Sequence, residues 1–592
     1  MPSYHAPLND MRFILTELWP IKEYLNHLPT YQDIDPELLM TVLEEAAKFC
    51  QHEIFPLNQV GDQQGCKYHN GLVTTPDGFK EAYQHLVEAG WLTLNVEVAE
   101  GGQGLPKIVQ VFFDEMLASC NVAFSLYTVL TQGVYHALKL YASYELQSIY
   151  LPNIASGKWS GTMCLTEAHC GSDLGLLKTK AIPEANGSYR LYGTKIFITS
   201  GEHDLTENII HTVLARLPDA PPGVKGISFF VVPKFLVNQD GSLGERNHLH
   251  CGSIEHKMGI KGSCTCVMNY DGAIGYLIGK PHEGLKVMFS MMNLERINIG
   301  LEGLGLAETA YQNALHYAKD RLQGRSPYGP AYPEKPADPI IVHPDVRRML
   351  LTIKTFTEGA RALAAWIALL VDVAKFHTEE KTRTEADQLI ALLTPIIKAY
   401  FTDQGFDSCN LALQIFGGHG YIKEWGMEQY VRDARIAQIY EGTNGIQALD
   451  LVKRKLVLNN GESVNLLISQ INGFINEHLE NKKMHEYIYP LQTCVQILQD
   501  VSHWIIKQSK HDQALLGVVA RDYLNLLATS VLAFVWGKIA SIAANKSTDI
   551  FYQSKMKTAQ FFFQRILPII FTLKYTITAD NRAVMAMNVE EF

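Results

Sequence analysis

The side chains best suited to chemistry gather at one turn. Over Val431–Gly445 a charged and then apolar helical pattern runs into Ile439-Tyr440-Glu441-Gly442-Thr443. A carboxylate flanked by Ile439 and Tyr440 is expected to be partly desolvated, which raises its pKa towards the working pH and suits it to general-base catalysis. A glutamate that simply ends a helix is the commoner outcome of such a pattern. Upstream, Gln414-Ile-Phe-Gly417-Gly418-His419-Gly420-Tyr421 clusters glycines that let a backbone approach a ligand closely, or that merely link two helices.

Two further segments suit a flat, polar-edged ring. Met163-Cys-Leu165-Thr166-Glu167-Ala-His169-Cys170-Gly171-Ser172-Asp173 runs from apolar residues into small hydroxyls and a glycine. Main-chain N–H groups and hydroxyls at such a turn can bind a heterocycle and a pyrophosphate. An unliganded Ser/Asp turn is an equal reading. His169 and Cys170 invite a metal, but no third ligand is nearby in the sequence, so none is expected. Lys195–Gly201 alternates as a strand, which puts Phe197 and Thr199 on one face, an aromatic plane beside a hydroxyl. One half-buried β face is the simpler reading of that pattern. Gly303 and Gly305 faintly suggest a dinucleotide fingerprint, but they sit inside a helical pattern rather than after a strand, and close helix packing is expected instead.

These residues need elements to hold them. An arm over 1–35 has several prolines and one short helix. Helical period fills 36–160. Residues 161–280 are mostly β, with strands at Tyr189–Thr199, Ile209–Leu217 and Gly226–Phe235 set apart by Asn186-Gly187 and Pro221-Pro222-Gly223. Helices return over 281–457, where Val287, Met291, Leu294, Ile297, Leu301 and Leu304 mark one face. After Asn459-Asn460-Gly461, a further helical block covers 462–592, striped by Leu524, Leu527, Val531 and Phe534. Helical and β segments are segregated rather than alternating, so the expected class is α+β.

Bulk properties narrow the function. With 592 residues, 47% hydrophobic and 19% charged, the chain can bury a sizeable core. A formal net charge of −10 and the lack of a basic run argue against nucleic-acid binding. The 10 cysteines form no CxxC pair, and no secretory signal pattern opens the chain, so a reducing, cytoplasmic location is expected. The apolar runs Ala362–Val371 and Leu526–Gly537 fall short of the ~20 residues that span a bilayer, so no transmembrane segment is expected.

Taken together, the segments resemble the acyl-CoA dehydrogenase family. Thr166-Glu167-x-x-x-Gly171-Ser172-Asp173 is similar to its flavin signature. Lys257-Met258-Gly259-Ile260 is similar to its β-domain signature. Gln414-x-x-Gly417-Gly418-x-Gly420-Tyr421, Arg432-Asp433 and Ile439-Tyr440-Glu441-Gly442-Thr443 are similar to its carboxy-terminal signature. Order and spacing agree over residues 36–456. The arm Ala6-Pro7-Leu8-Asn9-Asp10-Met11-Arg12-Phe13 and the extra helical block resemble a longer subfamily, which includes 3-(methylthio)propionyl-CoA dehydrogenases and enzymes of ordinary fatty acyl-CoAs.

The resemblance implies an N-terminal helical domain, a middle β-barrel-like domain and a C-terminal four-helix bundle, with the extra helical domain appended. It implies FAD, lined by Met163, Leu165, Thr166, Gly171 and Ser172, with Phe197 against its ring, Thr199 near N5, and Thr443 binding it from the same subunit. Phe197 stands where many members carry tryptophan, and Ala168 where proline is common. Arg321 and Gln414 to Gly418, Gly417 included, would reach the flavin of a neighbouring subunit in a homodimer. Asn293 and Arg296 would bind the CoA portion of an acyl-CoA. Glu441 would take the α-proton while the β-hydrogen leaves as hydride to N5, giving a trans-2-enoyl-CoA. The main-chain N–H of Glu441 would face the enolate oxygen, with Gly442 leaving room for that approach. Electrons would pass to an electron-transfer flavoprotein; an acyl-CoA oxidase, reoxidised directly by O2, is the alternative. Some members place the base on an earlier helix, where this chain has Glu295, so Glu295 is the second candidate.

Overall fold

The computed structural model describes residues 2–592 except Gln239, Gln513, Ser547 and Asn581, and all of their side chains except that of Leu294. The chain forms two compact units, one of residues 45–298 and one of residues 1–44 with 299–592.

The first unit joins helices to a seven-stranded sheet. Its strands are β1 (Trp159–Cys164), β2 (Lys180–Pro183), β3 (Tyr189–Thr199), β4 (Asn208–Arg216), β5 (Ile227–Pro233), β6 (Leu249–Ile254) and β7 (Thr265–Ile278). Strand β7 pairs β3, β3 pairs β2, β2 meets β4, β4 pairs β5, and β5 returns to β7. The ring closes through five strands, which removes the exposed edges an open sheet would leave. Strand β6 lies antiparallel on β7, and β1 lies parallel to β4. Apolar strand residues Ile210, Leu214, Phe229 and Val231 meet Val134 and Leu138 of the helix Lys107–Tyr141 and Val287 and Met291 of the helix Gly284–Asp320 in one core.

The second unit is helical. Three long helices, Gly284–Asp320 (from residue 299), Pro344–Phe376 and Glu380–Phe416, pack with the shorter Met427–Ala437 and Asn444–Asp450. Gly303 is a packing glycine. A Cβ there would meet the Phe401 carbonyl oxygen at 2.6 Å, and one on Gly405 would meet that of Gly303 at 2.5 Å. Only hydrogen lets these two helices cross so closely.

The extra block belongs to the same unit, and its apolar stripe is spent on the bundle. Leu524, Leu527, Val531 and Phe534 are all buried. Trp536 Nε1 donates to the Thr355 carbonyl at 3.2 Å, and Phe534 meets Trp366 edge-on at 5.8 Å. The helix Leu515–Ala543 is longer than its apolar sequence run suggests. By length and composition it is able to cross a membrane, but 83% of its most apolar window is buried inside the protein. The arm is tied in as well. Asp10 pairs with Arg361 at 2.6 Å and with Lys555, while Arg361 also pairs with Glu308 at 2.8 Å.

Candidate functional site

The turn that carries Glu441 joins Met427–Ala437 to Asn444–Asp450. Glu441 has φ +54° and Gly442 φ +85°. A non-glycine residue in the left-handed region costs free energy and persists only where its surroundings enforce it. The enforcement is visible. The Asn444 N–H donates to the Gln438 carbonyl at 3.1 Å and closes the loop's neck. Gln447 Nε2 donates to the Glu441 carbonyl at 3.1 Å. Gly442 is favoured there by its left-handed backbone, and a Cβ would also stand 2.7 Å from Gln447 Nε2, the group that holds the Glu441 carbonyl. Thr443 caps the next helix, its hydroxyl oxygen accepting from the Ile446 N–H at 3.3 Å. The shielding expected from the flanking residues is only partial. Ile439 is 47% exposed, and Glu441 itself is half-buried.

A second carboxylate stands next to this loop, and it is one that sequence reasoning missed. The Tyr440 hydroxyl donates to Glu302 on the helix Gly284–Asp320. Glu302 is buried, and its Oε1 has no hydrogen-bond partner among the described residues. Burial pushes its carboxyl up to about 8, against the Tyr440 hydrogen bond and the Lys398 ammonium, with the Glu441 charge adding to the rise. The signal was thin, a lone Glu between packing glycines. Glu295, the second candidate base, belongs to the other compact unit. There it is fully buried beside Gly133, where a Cβ would come within 2.4 Å of Glu295 Oε1. Asn293 and Arg296 meet one turn apart, Arg296 Nη1 donating to Asn293 Oδ1 at 3.1 Å.

In the first unit, the segment after β1 folds into a tight loop. The Glu167 and Cys170 backbones exchange hydrogen bonds at 2.9 and 3.0 Å. The buried Glu167 carboxylate accepts from Lys195 Nζ and the Thr179 N–H, at 2.9 and 3.0 Å, and from the Lys178 N–H at 2.8 Å. Lys195 also donates to the Leu165 carbonyl at 2.9 Å. Held this way, Leu165 and Thr166 are half-buried while Gly171 and Ser172 are exposed, so the loop presents a rim of small polar groups. Met163 is buried behind it at the end of β1. Contrary to the expectation that no third ligand lies near His169 and Cys170, Glu167 joins them in one cluster, with His169 Nε2 at 3.5 Å. The Glu167 oxygens are already engaged by Lys195 and the backbone, which also holds its carboxyl down at about 2 against the opposing effect of burial.

Phe197 departs from the alternation expected of β3. The β3–β7 register slips between Cys266 and Met268, where β3 inserts an extra residue, and Phe197 takes φ +60°. The bulge re-aims the side chain, so simple alternation does not relate Phe197 to Thr199. Phe197 is 59% exposed while Thr199 is half-buried, its carbonyl accepting from the Thr162 hydroxyl at 2.6 Å. An exposed aromatic on a strained bulge beside a rim of small polar groups fits a flat ring with hydrogen-bonding edges, as FAD requires.

In the helical unit, Arg321 borders a cavity of 360 Å³ also lined by Tyr317, Asp320, Phe416, Trp425 and, from the glycine turn, His419. Tyr317 stacks on Phe416 at 4.2 Å, His419 stacks on Trp425 at 4.5 Å, and the Tyr317 hydroxyl lies 2.8 Å from His419 Nδ1. Gln414, Gly417 and Gly418 are exposed, and no atom stands where a Cβ on either glycine would go. Phe416 and His419 belong to the glycine segment itself; Tyr317 and Trp425 were missed because they lie outside it in the sequence.

Comparison with known proteins identifies the family. Family models match in chain order: acyl-CoA dehydrogenase N-terminal domain over 37–158, middle domain over 162–273, and C-terminal domain over 282–456. An acetyl-CoA dehydrogenase C-terminal-like model matches the extra block over 467–588. The 3-methylmercaptopropionyl-CoA dehydrogenase of Ruegeria pomeroyi is 45% identical over 463 residues, 78% of each chain. A broad-specificity linear acyl-CoA dehydrogenase of Mycobacterium tuberculosis is 31% identical over the whole of both chains. The crystal structure of an acyl-CoA dehydrogenase from Bacillus anthracis complexed with FAD shares the fold with a TM-score of 0.75, 20% identity, and coverage of 95% of this chain and 92% of that one. The chain therefore belongs to the acyl-CoA dehydrogenase family, FAD-dependent oxidoreductases of acyl-CoA thioesters, in a long form with an additional C-terminal helical domain.

Proposed function

We propose that this enzyme converts an acyl-CoA to a trans-2-enoyl-CoA with Glu441 as the base. The supporting observation is the strained carboxylate loop, a left-handed glutamate clamped at both ends. Glu441 accepts the α-proton of the thioester, and its main-chain N–H donates to the carbonyl oxygen as enolate charge develops there. FAD, when bound, supplies the two-electron acceptor for the β-hydrogen. Leu165, Thr166, Gly171 and Ser172 would line its edge with Met163 behind them, Phe197 would face its ring, and Thr199 and Thr443 would donate to it. Asn293 and Arg296 hold the CoA portion. A cytoplasmic enzyme handing electrons to an electron-transfer flavoprotein is the favoured context. If acyl-CoA-reduced enzyme reoxidises rapidly on admission of air alone, the oxidase reading replaces it. Straight-chain acyl-CoAs and 3-methylmercaptopropionyl-CoA, the substrates in the relatives' names, form the panel that resolves specificity.

Glu441→Gln should retain flavin and bind acyl-CoA while anaerobic flavin bleaching slows by about 10²–10⁴-fold. Normal bleaching in this variant, together with loss in Glu295→Gln, would transfer the role to Glu295.

A further inference from the structure

We propose that the extra C-terminal block holds the catalytic loop in register, with Arg521 acting as a positioning residue for Glu441 through Asp403; this rests on Glu441 being the base. Arg521 lies on the helix Leu515–Ala543, and its guanidinium pairs with Asp403 Oδ2 on the helix Glu380–Phe416. The other oxygen, Asp403 Oδ1, accepts from Gln438 Nε2 at 2.7 Å and from Asn444 Nδ2 at 2.8 Å. Gln438 and Asn444 are the residues on either side of Ile439–Thr443, so one carboxylate grips both ends of the loop. The grip is reinforced where it is buried. Asn444 Oδ1 accepts from the fully buried Lys398 Nζ at 2.8 Å, and Asn444 Nδ2 also reaches the Thr402 hydroxyl at 2.9 Å.

The chain of contacts has a direction. Asp403 is buried and Arg521 is 44% exposed, so replacing Arg521 withdraws the cation from Asp403 Oδ2 without opening a closed cavity. Asp407 lies in the same field, its carboxyl pushed up by burial and by Asp403, with Arg521 opposing the rise. Without Arg521 the Asp403 carboxylate must draw harder on Gln438 and Asn444, which moves the two ends of the loop. A base displaced by a fraction of an ångström loses rate without losing substrate affinity, because proton abstraction depends on the approach geometry.

The test uses full-length, flavin-loaded protein and single-turnover reduction by acyl-CoA. Arg521→Gln is expected to slow the bleaching rate constant by at least about tenfold. The α-deuterium isotope effect should rise, and acyl-CoA affinity should stay within about twofold of wild type. The amplitude of bleaching reports how much protein is folded, whereas the rate constant does not. Arg521→Lys keeps the charge and should recover part of the rate. Lys546→Ala removes a different tie between the extra block and the arm, the 2.8 Å pair with Glu17, and should leave the rate constant unchanged. Should Arg521→Gln fail to yield soluble protein, Asp403→Asn, which keeps the side chain's size, must show the same slow constant. A wild-type rate constant in Arg521→Gln, or an equal loss in Lys546→Ala, would overturn the inference. Running Glu441→Gln alongside separates the two ideas. If it is inert while Arg521→Gln is normal, only the positioning role falls. If it bleaches normally, the base assignment falls and takes this inference with it.

Discussion

At the scale of single residues, the site is defined by what surrounds its carboxylates. Glu441 is held by backbone geometry, and Glu302 is set by burial. The Glu302 carboxyl titrates at about 8 in the fold against an ordinary value of 4.5. A carboxyl raised on folding binds its proton more tightly in the native state. Its contribution to stability is complete below pH 4.5 and is lost as pH rises through 8. Glu302→Gln removes the titrating proton while keeping a similar shape beside the Tyr440 hydroxyl. The variant's thermal midpoint should fall less than that of wild type between pH 5 and 8.5, the gap reaching a few degrees at the alkaline end. Melting curves across that range check it; parallel profiles for the two proteins would mean that Glu302 does not titrate there.

At the scale of elements, the same device recurs: a few charged side chains join segments far apart in sequence. The arm helix Leu8–Phe13 contributes Asp10, the helix Pro344–Phe376 contributes Arg361 and Glu358, the helix Gly284–Asp320 contributes Glu308, and the extra block contributes Lys555. Arg361 is 1% exposed and the Lys555 side chain 3%, so the cluster is effectively dry. Burial works against the Asp10 charge, but Lys555 and Arg361 together hold its carboxyl below the ordinary range. This gives the arm's Asp10-Met11-Arg12-Phe13 motif a structural meaning. Phe13 packs edge-on against Phe551 at 5.7 Å in the same contact. Breaking a buried pair by removing one partner is far more costly than never having had it. Asp10→Ala should therefore destabilise the helical unit by about 3 kcal/mol and expose residues 550–592 to proteolysis first. A wild-type denaturant midpoint and digestion pattern would show that the cluster carries no net stability.

At the scale of the whole molecule, the cavity beside Arg321 bears on assembly. It offers the Arg321 guanidinium and stacked aromatics, with the Asp320 carboxylate also in its lining. We propose that it receives the anionic portion of the flavin held by a neighbouring subunit, making the enzyme a homodimer whose cofactor site is shared. A ligand that binds only the assembled form also stabilises that form. Arg321→Ala should lower flavin occupancy after purification by about tenfold, the scale of one charge-assisted phosphate contact. It should also weaken the dimer in sedimentation at low protein concentration. A fully loaded monomer, in the variant or the wild type, would contradict the shared site.

Much of this was legible in the chain itself. Local pattern separated helical from β segments, because helix and strand faces repeat at different periods and both were strongly marked. The Glu441 loop, the 166–173 turn and the glycine turn at 417–420 could be read because each is contiguous, and each uses residue types that only a special backbone or a ligand requires. What the sequence did not determine involves residues brought together from distant positions. Glu302 beside Tyr440, the aromatics beside Arg321, and Asp403 between Arg521 and the two ends of the loop each depend on helix crossings set by packing. The bulge that re-aims Phe197 depends on a register slip against β7, which strict alternation hides. Side-chain period is a local property and is written in the residues. Register, crossing and burial are set by the partner element, so the charge on Glu302 and the grip on Glu441 are decided only when the chain has folded.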